Sequence, residues 1–98
     1  MSHSGTAELE RLQATISGRV QGVAYRFYTR EKARQLGVCG WVQNLPNGDV
    51  LLLSEGPREA LEALLTWCHQ GPPMAQVIQI VSRWEKATGE FNQFHISR

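Results

Sequence analysis

An α+β domain, with two helices laid across one face of an antiparallel sheet, is the fold class that the sequence predicts. Three observations predict it. Stretches of period-two alternation and stretches of helical apolar spacing succeed one another as strand, helix, strand, strand, helix, strand. The two central strands are separated by Pro46-Asn47-Gly48, a hairpin signal that makes them antiparallel neighbours. The chain has 98 residues, of which 42% are hydrophobic, enough for one domain with one core and too few for two.

Each element has its own signature. Residues 1–11 open small and polar and then become charged, without an apolar face, and are expected to be a flexible tail preceding a domain over residues 12–98. Leu12, Ala14 and Ile16 alternate with Gln13, Thr15 and Ser17, the pattern of a strand with one buried face. From Ala24 onward Tyr25, Thr29, Ala33 and Leu36 recur at spacings of four, four and three, while Arg30, Glu31, Lys32 and Arg34 fall elsewhere, which predicts an amphipathic helix closed by Gly37. Strands are expected at Cys39 to Leu45 and Asp49 to Glu55, on either side of the hairpin turn. Pro57 stands at a helix start, Leu61, Leu64, Leu65 and Cys68 follow at helical spacing, and Gly71-Pro72-Pro73 stops the run. Gln76 to Trp84 reads as a fourth strand with Ile78, Ile80 and Trp84 on one parity, and Phe94 and Ile96 suggest a short last strand. The order βαββαβ, plus that terminal strand, is the split-βαβ pattern of a ferredoxin-like sandwich. This architecture hosts many functions and selects none of them.

Composition narrows the possibilities. A formal charge of +1 with 19% charged residues lacks the strong basic patch of a phosphate-backbone binder, so no nucleic-acid partner is expected. No apolar run approaches the roughly 18 residues of a membrane span, and the start lacks the apolar centre of a signal peptide. A cytoplasmic monomer is the expectation. Cys39 and Cys68 read as small buried residues rather than nucleophiles, although sequence leaves a disulfide between them open. His3, His69 and His95 are too widely separated to make a ligand spacing, so neither metal nor cofactor is expected.

The segment Gly18 to Arg26, GRVQGVAYR, carries the chemistry. A strand that runs out through Gly18 and Gly22 into a helix at Ala24 aims unpaired backbone N–H groups at one point, where the helix N-terminus adds partial positive charge. Gly22 lets the backbone approach a ligand, and Arg26 could set a forked guanidinium over the same point, so the group that suits this turn is a phosphate or carboxylate. On spacing alone a plain tight turn is the favoured reading of the glycines, and an ordinary strand-end role is the favoured reading of Asn44. Trp41, Val42, Phe94 and Ile96 read as core.

Taken together, these residues resemble the acylphosphatase family. GRVQGVAYR is similar to that family's first signature, and GVCGWVQNLPNGDV, Gly37 to Val50, to its second, Gly-x-x-Gly-Trp-Val-x-Asn followed by a tight turn. The likeness extends through GPPMAQV and WEKATGEFNQFHISR, from Ile16 to Arg98, with Tyr25 standing where Phe is usual. The resemblance implies metal-free hydrolysis of the carboxyl–phosphate bond of a small acyl phosphate, with no covalent phosphoenzyme. It implies that Arg26 holds the phosphoryl oxygens, that Asn44 positions the attacking water, and that the loop Gln21, Gly22, Val23, Ala24, Tyr25 and Arg26 cradles the phosphate. Arg19 lies in the signature but reads equally as a solvated charge and stays outside the catalytic set. Two rivals share the fold. An RNA-recognition module needs exposed aromatics that DVLLLSEG does not offer. A non-catalytic anion-binding or regulatory domain would be favoured by loss of the arginine or asparagine, and both are present.

Overall fold

The computed structural model describes residues 8–98, in which the chain forms β1 (Leu9–Arg19), α1 (Tyr25–Leu36), β2 (Cys39–Asn44), β3 (Val50–Pro57), α2 (Arg58–Gln70), β4 (Gln76–Lys86) and β5 (Phe94–Ser97). The strands make one sheet in the order β4-β1-β3-β2-β5. Its inner face carries the alternate residues Leu12, Ala14 and Ile16 of β1, Val50 and Leu52 of β3, Val42 of β2 and Phe94 of β5, all buried. Tyr25, Thr29 and Ala33 of α1, and Leu61, Leu64 and Cys68 of α2, are the buried helical residues that close this core. Burial of each large apolar side chain contributes about 1.5–3 kcal/mol. Thr29 is admitted because its hydroxyl donates to the Tyr25 carbonyl oxygen at 2.8 Å.

The ferredoxin-like α+β class stands, with local departures from the sequence expectation. The sheet is mixed rather than wholly antiparallel, because β5 runs parallel to β2. The reason is the route of the chain. β4 lies at one edge and β5 at the other, so the connecting residues 87–93 pass across the end of the sheet where β1 begins and β3 finishes, and re-enter in the direction opposite to β4. Glu55 holds them there. Its carboxylate accepts from the backbone N–H of Thr88 at 2.9 Å, the backbone N–H of Gly89 at 3.0 Å and Arg11 Nε at 2.8 Å. Arg11 also reaches Glu90.

That cluster explains a second departure. β1 starts at Leu9, three residues before the expected domain start, because Glu10 and Arg11 are paired across the sheet with Gly56 and Glu55 and with Lys86 and Glu85. Residues 9–11 are therefore strand and not tail; residues 1–7, including His3, lie outside the described residues. β2 ends at Asn44, not Leu45, and β3 spans Val50–Pro57 in place of Asp49 to Glu55. The hairpin needs Leu45 and Asp49 for its closing turn, in which the Leu45 N–H donates to the Asp49 carbonyl at 2.8 Å.

The third departure is in β4. Ile78 was expected inward with Ile80 and Trp84 but is 81% exposed. A register slip lies between Ser17, paired with Gln79, and Gly18, paired with Val77. Ile78 is left without an opposite number, and the parity of the strand reverses there. Gly18 permits the slip: its φ is 125°, and a Cβ would collide with the Gln76 carbonyl. Trp41 is also not core. It pairs with Leu53 and His95 on the outer face and is half-buried.

Glu55 yields a pH prediction. Burial pushes its carboxyl up, but the N–H of Thr88, the guanidinium of Arg11, the N–H of Gly89 and the hydroxyl of Thr88 outweigh it and hold the group below the usual carboxylate range. A depressed folded pKa gives stability that is fully present above the unfolded value, about 4.3, and is lost as pH falls through the folded one. Glu55→Gln should lower unfolding free energy at neutral pH by about 2 kcal/mol, and the deficit should close below about pH 4. Urea titrations across that range check it; a deficit constant with pH would mean that ionisation of Glu55 is not what holds the crossing segment.

Candidate active site

Between the last residue of β1 and the first of α1, the five residues Val20 to Ala24 reverse the chain. Val20 is buried and anchors the turn to the core. Gly22 at φ 75° and Ala24 at φ 62° are left-handed, while Val23 between them is not. Such alternation curls successive N–H groups into a concave surface that suits an anion. Ala24 is the one non-glycine residue with positive φ among the described residues, and it forms the N-cap of α1 with no side-chain capping bond and no acidic residue in the first turn. The backbone N–H groups of Gln21 to Phe27 donate to no backbone carbonyl among the described residues. They are free for solvent or a ligand, at the positive end of the helix dipole.

Arg26 is the second residue of α1. It is half-buried and has no ion pair with any described carboxylate, unlike Arg11, Arg30, Arg58 and Arg83. Asn44 closes β2 in the row Ile16, Val50, Asn44 that crosses three strands. Its parity is that of Val42, so it is the last inward position of the strand and the one polar group in that row. Its amide oxygen Oδ1 is buried without a hydrogen-bond partner among the described residues. An unmet buried acceptor is costly, roughly 1–3 kcal/mol, and calls for a partner from outside the chain.

These groups share a cavity of about 180 Å³ lined by Val20, Gln21, Gly22, Ala24, Tyr25, Arg26, Phe27, Asn44 and Ile96. A water's share of liquid volume is about 30 Å³, so the space exceeds a few waters. It opens on a depression of about 630 Å³ that shares Arg26, Asn44 and Ile96 and adds Ser97 and Arg98. Of the residues expected at a phosphate site, all but Val23 line the cavity. Val23 lines a separate depression behind the loop, with Arg19, Tyr28 and Met74.

Tyr25 and Gln21 have side-chain duties elsewhere. The Tyr25 hydroxyl donates to the Cys68 carbonyl oxygen at 2.7 Å, and its ring meets Trp67 at 5.7 Å between centroids. The residue that differs from the usual Phe thus caps the last turn of α2, and burial raises its pKa. Val20, Phe27 and Ile96 were not foreseen as lining residues. Ile96 arrives through the parallel pairing of β5, which sets it beside Val42, and no local pattern in the sequence announces that pairing. Cys39 and Cys68 are both free. Burial pushes the Cys68 thiol up to about 12, so it is no nucleophile at neutral pH. Among the described residues no group of His, Cys, Asp and Glu could hold a metal ion, and no helix is long and apolar enough to cross a membrane.

Comparison with known proteins points one way. The family model for acylphosphatase matches residues 12–96. An acylphosphatase of Methylococcus capsulatus is 47% identical over 90 residues, which cover 92% of this chain and 98% of that one. Among solved structures, an acylphosphatase from Coxiella burnetii superposes with a TM-score of 0.86 at 36% identity, covering 92% of this chain and 94% of that one. The acylphosphatase from Bacillus subtilis gives 0.88 at 29% identity, with coverages of 91% and 99%.

The left-handed alanine can be tested directly. A non-glycine residue held there costs on the order of 1 kcal/mol or more. Ala24→Gly should therefore raise stability by up to about 1 kcal/mol, the relief of strain being partly offset by the greater freedom of glycine in the unfolded chain. Thermal unfolding followed by circular dichroism reads the change, and a clear fall in Tm would show that the side chain's packing outweighs the strain.

Proposed function

The chain belongs to the acylphosphatase family and is a hydrolase of acyl phosphates, and from that premise we propose how its own residues carry out the reaction. The observation that carries the proposal is the meeting, in one cavity, of an arginine without a carboxylate partner and a buried amide oxygen without a donor among the described residues. The phosphoryl group sits in the concave turn of Gln21 to Ala24, and Arg26 reaches two of its oxygens with the forked guanidinium. In phosphoryl transfer negative charge is spread over the equatorial oxygens, so fixed N–H donors and a guanidinium stabilise the transition state without forming any bond to phosphorus.

The Asn44 amide oxygen accepts a hydrogen from the attacking water and fixes its lone pair toward phosphorus. Water oxygen bonds to phosphorus, the phosphorus–oxygen bond to the acyl group breaks, and its electron pair leaves with the carboxylate. The proton passes to a substrate oxygen. A carboxylate is a good leaving group, so a neutral amide suffices where a poorer one would demand a strong base and an acid. An aspartate at position 44 would repel the dianion. No residue in the cavity supplies a metal site, and we read the reaction as metal-independent. The competing reading of a non-catalytic anion-binding domain accounts for the turn and Arg26 but gives no purpose to the unmet acceptor of Asn44. We read the protein further as a cytoplasmic monomer that takes a small molecule and no nucleic acid. Two unpaired cysteines suit a reducing compartment.

Benzoyl phosphate should be hydrolysed in the presence of a chelator, and an aryl phosphate monoester far more slowly, since the site has no nucleophile or acid for a poor leaving group. Equal rates on the two substrates would defeat this reading. Asn44→Ala should lower kcat by on the order of a hundredfold while inorganic phosphate, a competitive inhibitor, binds nearly as before. Arg26→Lys should lose both turnover and phosphate affinity, because an ammonium keeps the charge without the planar fork. A folded Arg26→Lys protein with unchanged kinetics would remove Arg26 from the mechanism.

A further inference from the structure

Beyond Arg26 and Asn44, which act on the substrate, the hydrolysis depends on the distance between the group that holds phosphorus and the group that holds water. These stand on different segments. The last paired row of β1 and β3 is Ile16 opposite Val50, so past Ser17 no ladder joins the turn of Val20 to Ala24 to the hairpin that carries Asn44. Among the described residues the side-chain hydrogen bonds that cross this gap come from Gln21. Gln21 Nε2 donates to the Leu45 carbonyl oxygen at 2.8 Å and to the Asp49 carbonyl oxygen at 2.9 Å. An amide nitrogen has two hydrogens, and each is used.

Both acceptors are the ends of the β2–β3 turn, already joined by the Leu45 N–H to the Asp49 carbonyl at 2.8 Å and by the Gly48 N–H to the Leu45 carbonyl at 3.1 Å. Asn47 stiffens the same turn by accepting from the Asp49 N–H at 3.0 Å. Gln21 is therefore fastened to a closed ring of backbone, and one of its two fastenings is the residue immediately after Asn44. Its own backbone is part of the curved turn beside Arg26.

We propose that Gln21 is a positioning residue: its side-chain amide ties the phosphate turn to the β2–β3 hairpin and so sets the separation between bound phosphorus and the water on Asn44. The inference rests on the functional reading above. It makes Gln21 neither a phosphate ligand through its side chain nor a mere surface polar residue. A misplacement on the order of 1 Å between reacting groups can cost about a hundredfold in rate. Loss of the tie acts on that spacing, while the cradle, which takes its shape from Gly22, Ala24 and the start of α1, keeps its affinity.

The test uses Gln21→Met and Gln21→Leu, neutral residues that occupy the space without a donor, since a carboxylate lining the cavity would itself repel phosphate. For each folded variant, kcat with benzoyl phosphate should fall on the order of ten- to a hundredfold, with the inhibition constant of inorganic phosphate moving less than about threefold. In an Asn44→Ala background the same changes should lower kcat by less than about threefold further, because the tie acts through Asn44. A general loosening of the fold would instead multiply the two losses. The proposal is overturned if kcat of either folded variant stays within about twofold, if the losses multiply in the double variant, or if phosphate affinity falls in step with kcat. Failure of the unaltered protein to hydrolyse benzoyl phosphate would strike the functional reading itself, a different result from any of these.

Discussion

The antiparallel pairing of β3 with both of its neighbours is the constraint from which the site follows. Because β1 and β2 each run opposite to β3, they run parallel to one another, and their C-terminal ends emerge at the same end of the sheet. β5, parallel to β2, ends there too. Three strand ends are thus brought together: the turn after β1, Asn44 at the close of β2, and Ile96 with Ser97 on β5. The register fixes the alignment, since Ile16, Val50 and Asn44 stand in one row. A slip of one residue in β2 would turn Asn44 to the outer face and bring Gln43 inward in its place.

The two ends of the sheet treat charge in opposite ways. At the end where β1 begins, Arg11, Glu55, Thr88 and Glu90 satisfy one another, and Arg58 bonds Glu10 and Glu62 while stacking 3.6 Å above the Trp84 ring. These contacts fix the crossing segment and need nothing from outside. At the other end the polar groups are left unmatched among the described residues: Arg26 lacks a carboxylate, Asn44 lacks a donor, and the N–H groups of the turn lack carbonyls. An unmatched end costs stability that the matched end and the core offset. Strain points the same way, because the one left-handed non-glycine residue among those described also lies at the open end.

Much of this was legible in the sequence, and what was not has physical reasons. The inward stripe of α1, the stop at Gly37 and the hairpin at Pro46-Asn47-Gly48 depend on residues close in sequence, and each stands where the pattern sets it. Arg26 and Asn44 could be singled out only through the resemblance of two short blocks, because an arginine in a first turn and an asparagine at a strand end are individually commonplace. Contacts distant in sequence were hidden. The start of β1 depends on Arg11 meeting Glu55, 44 residues away. The direction of β5 depends on how residues 87–93 cross the sheet. The outward turn of Ile78 depends on a slip opposite Gly18, which breaks the parity that alternation alone assumes. The size and apolarity of Trp41 suggest core, yet its odd position in β2 commits it to the outer face. Gln21 is the plainest case: nothing local reveals that its amide reaches 24 and 28 residues ahead.

The slip at Gly18 has a consequence for how molecules of this protein meet. Among the described residues β4 pairs with β1 alone and is an edge strand, and it carries Val81 at 61% exposure beside Ile78. A long flat strand of that composition is a template for aggregation, since a second chain can add to it as one more strand. The irregularity breaks the run of evenly spaced groups near Ile78 and increases the local twist, while the Arg83–Glu85 pair and Lys86 place charged side chains along the remainder. The glycine near the close of β1 thereby also interrupts the edge to which a second chain could add.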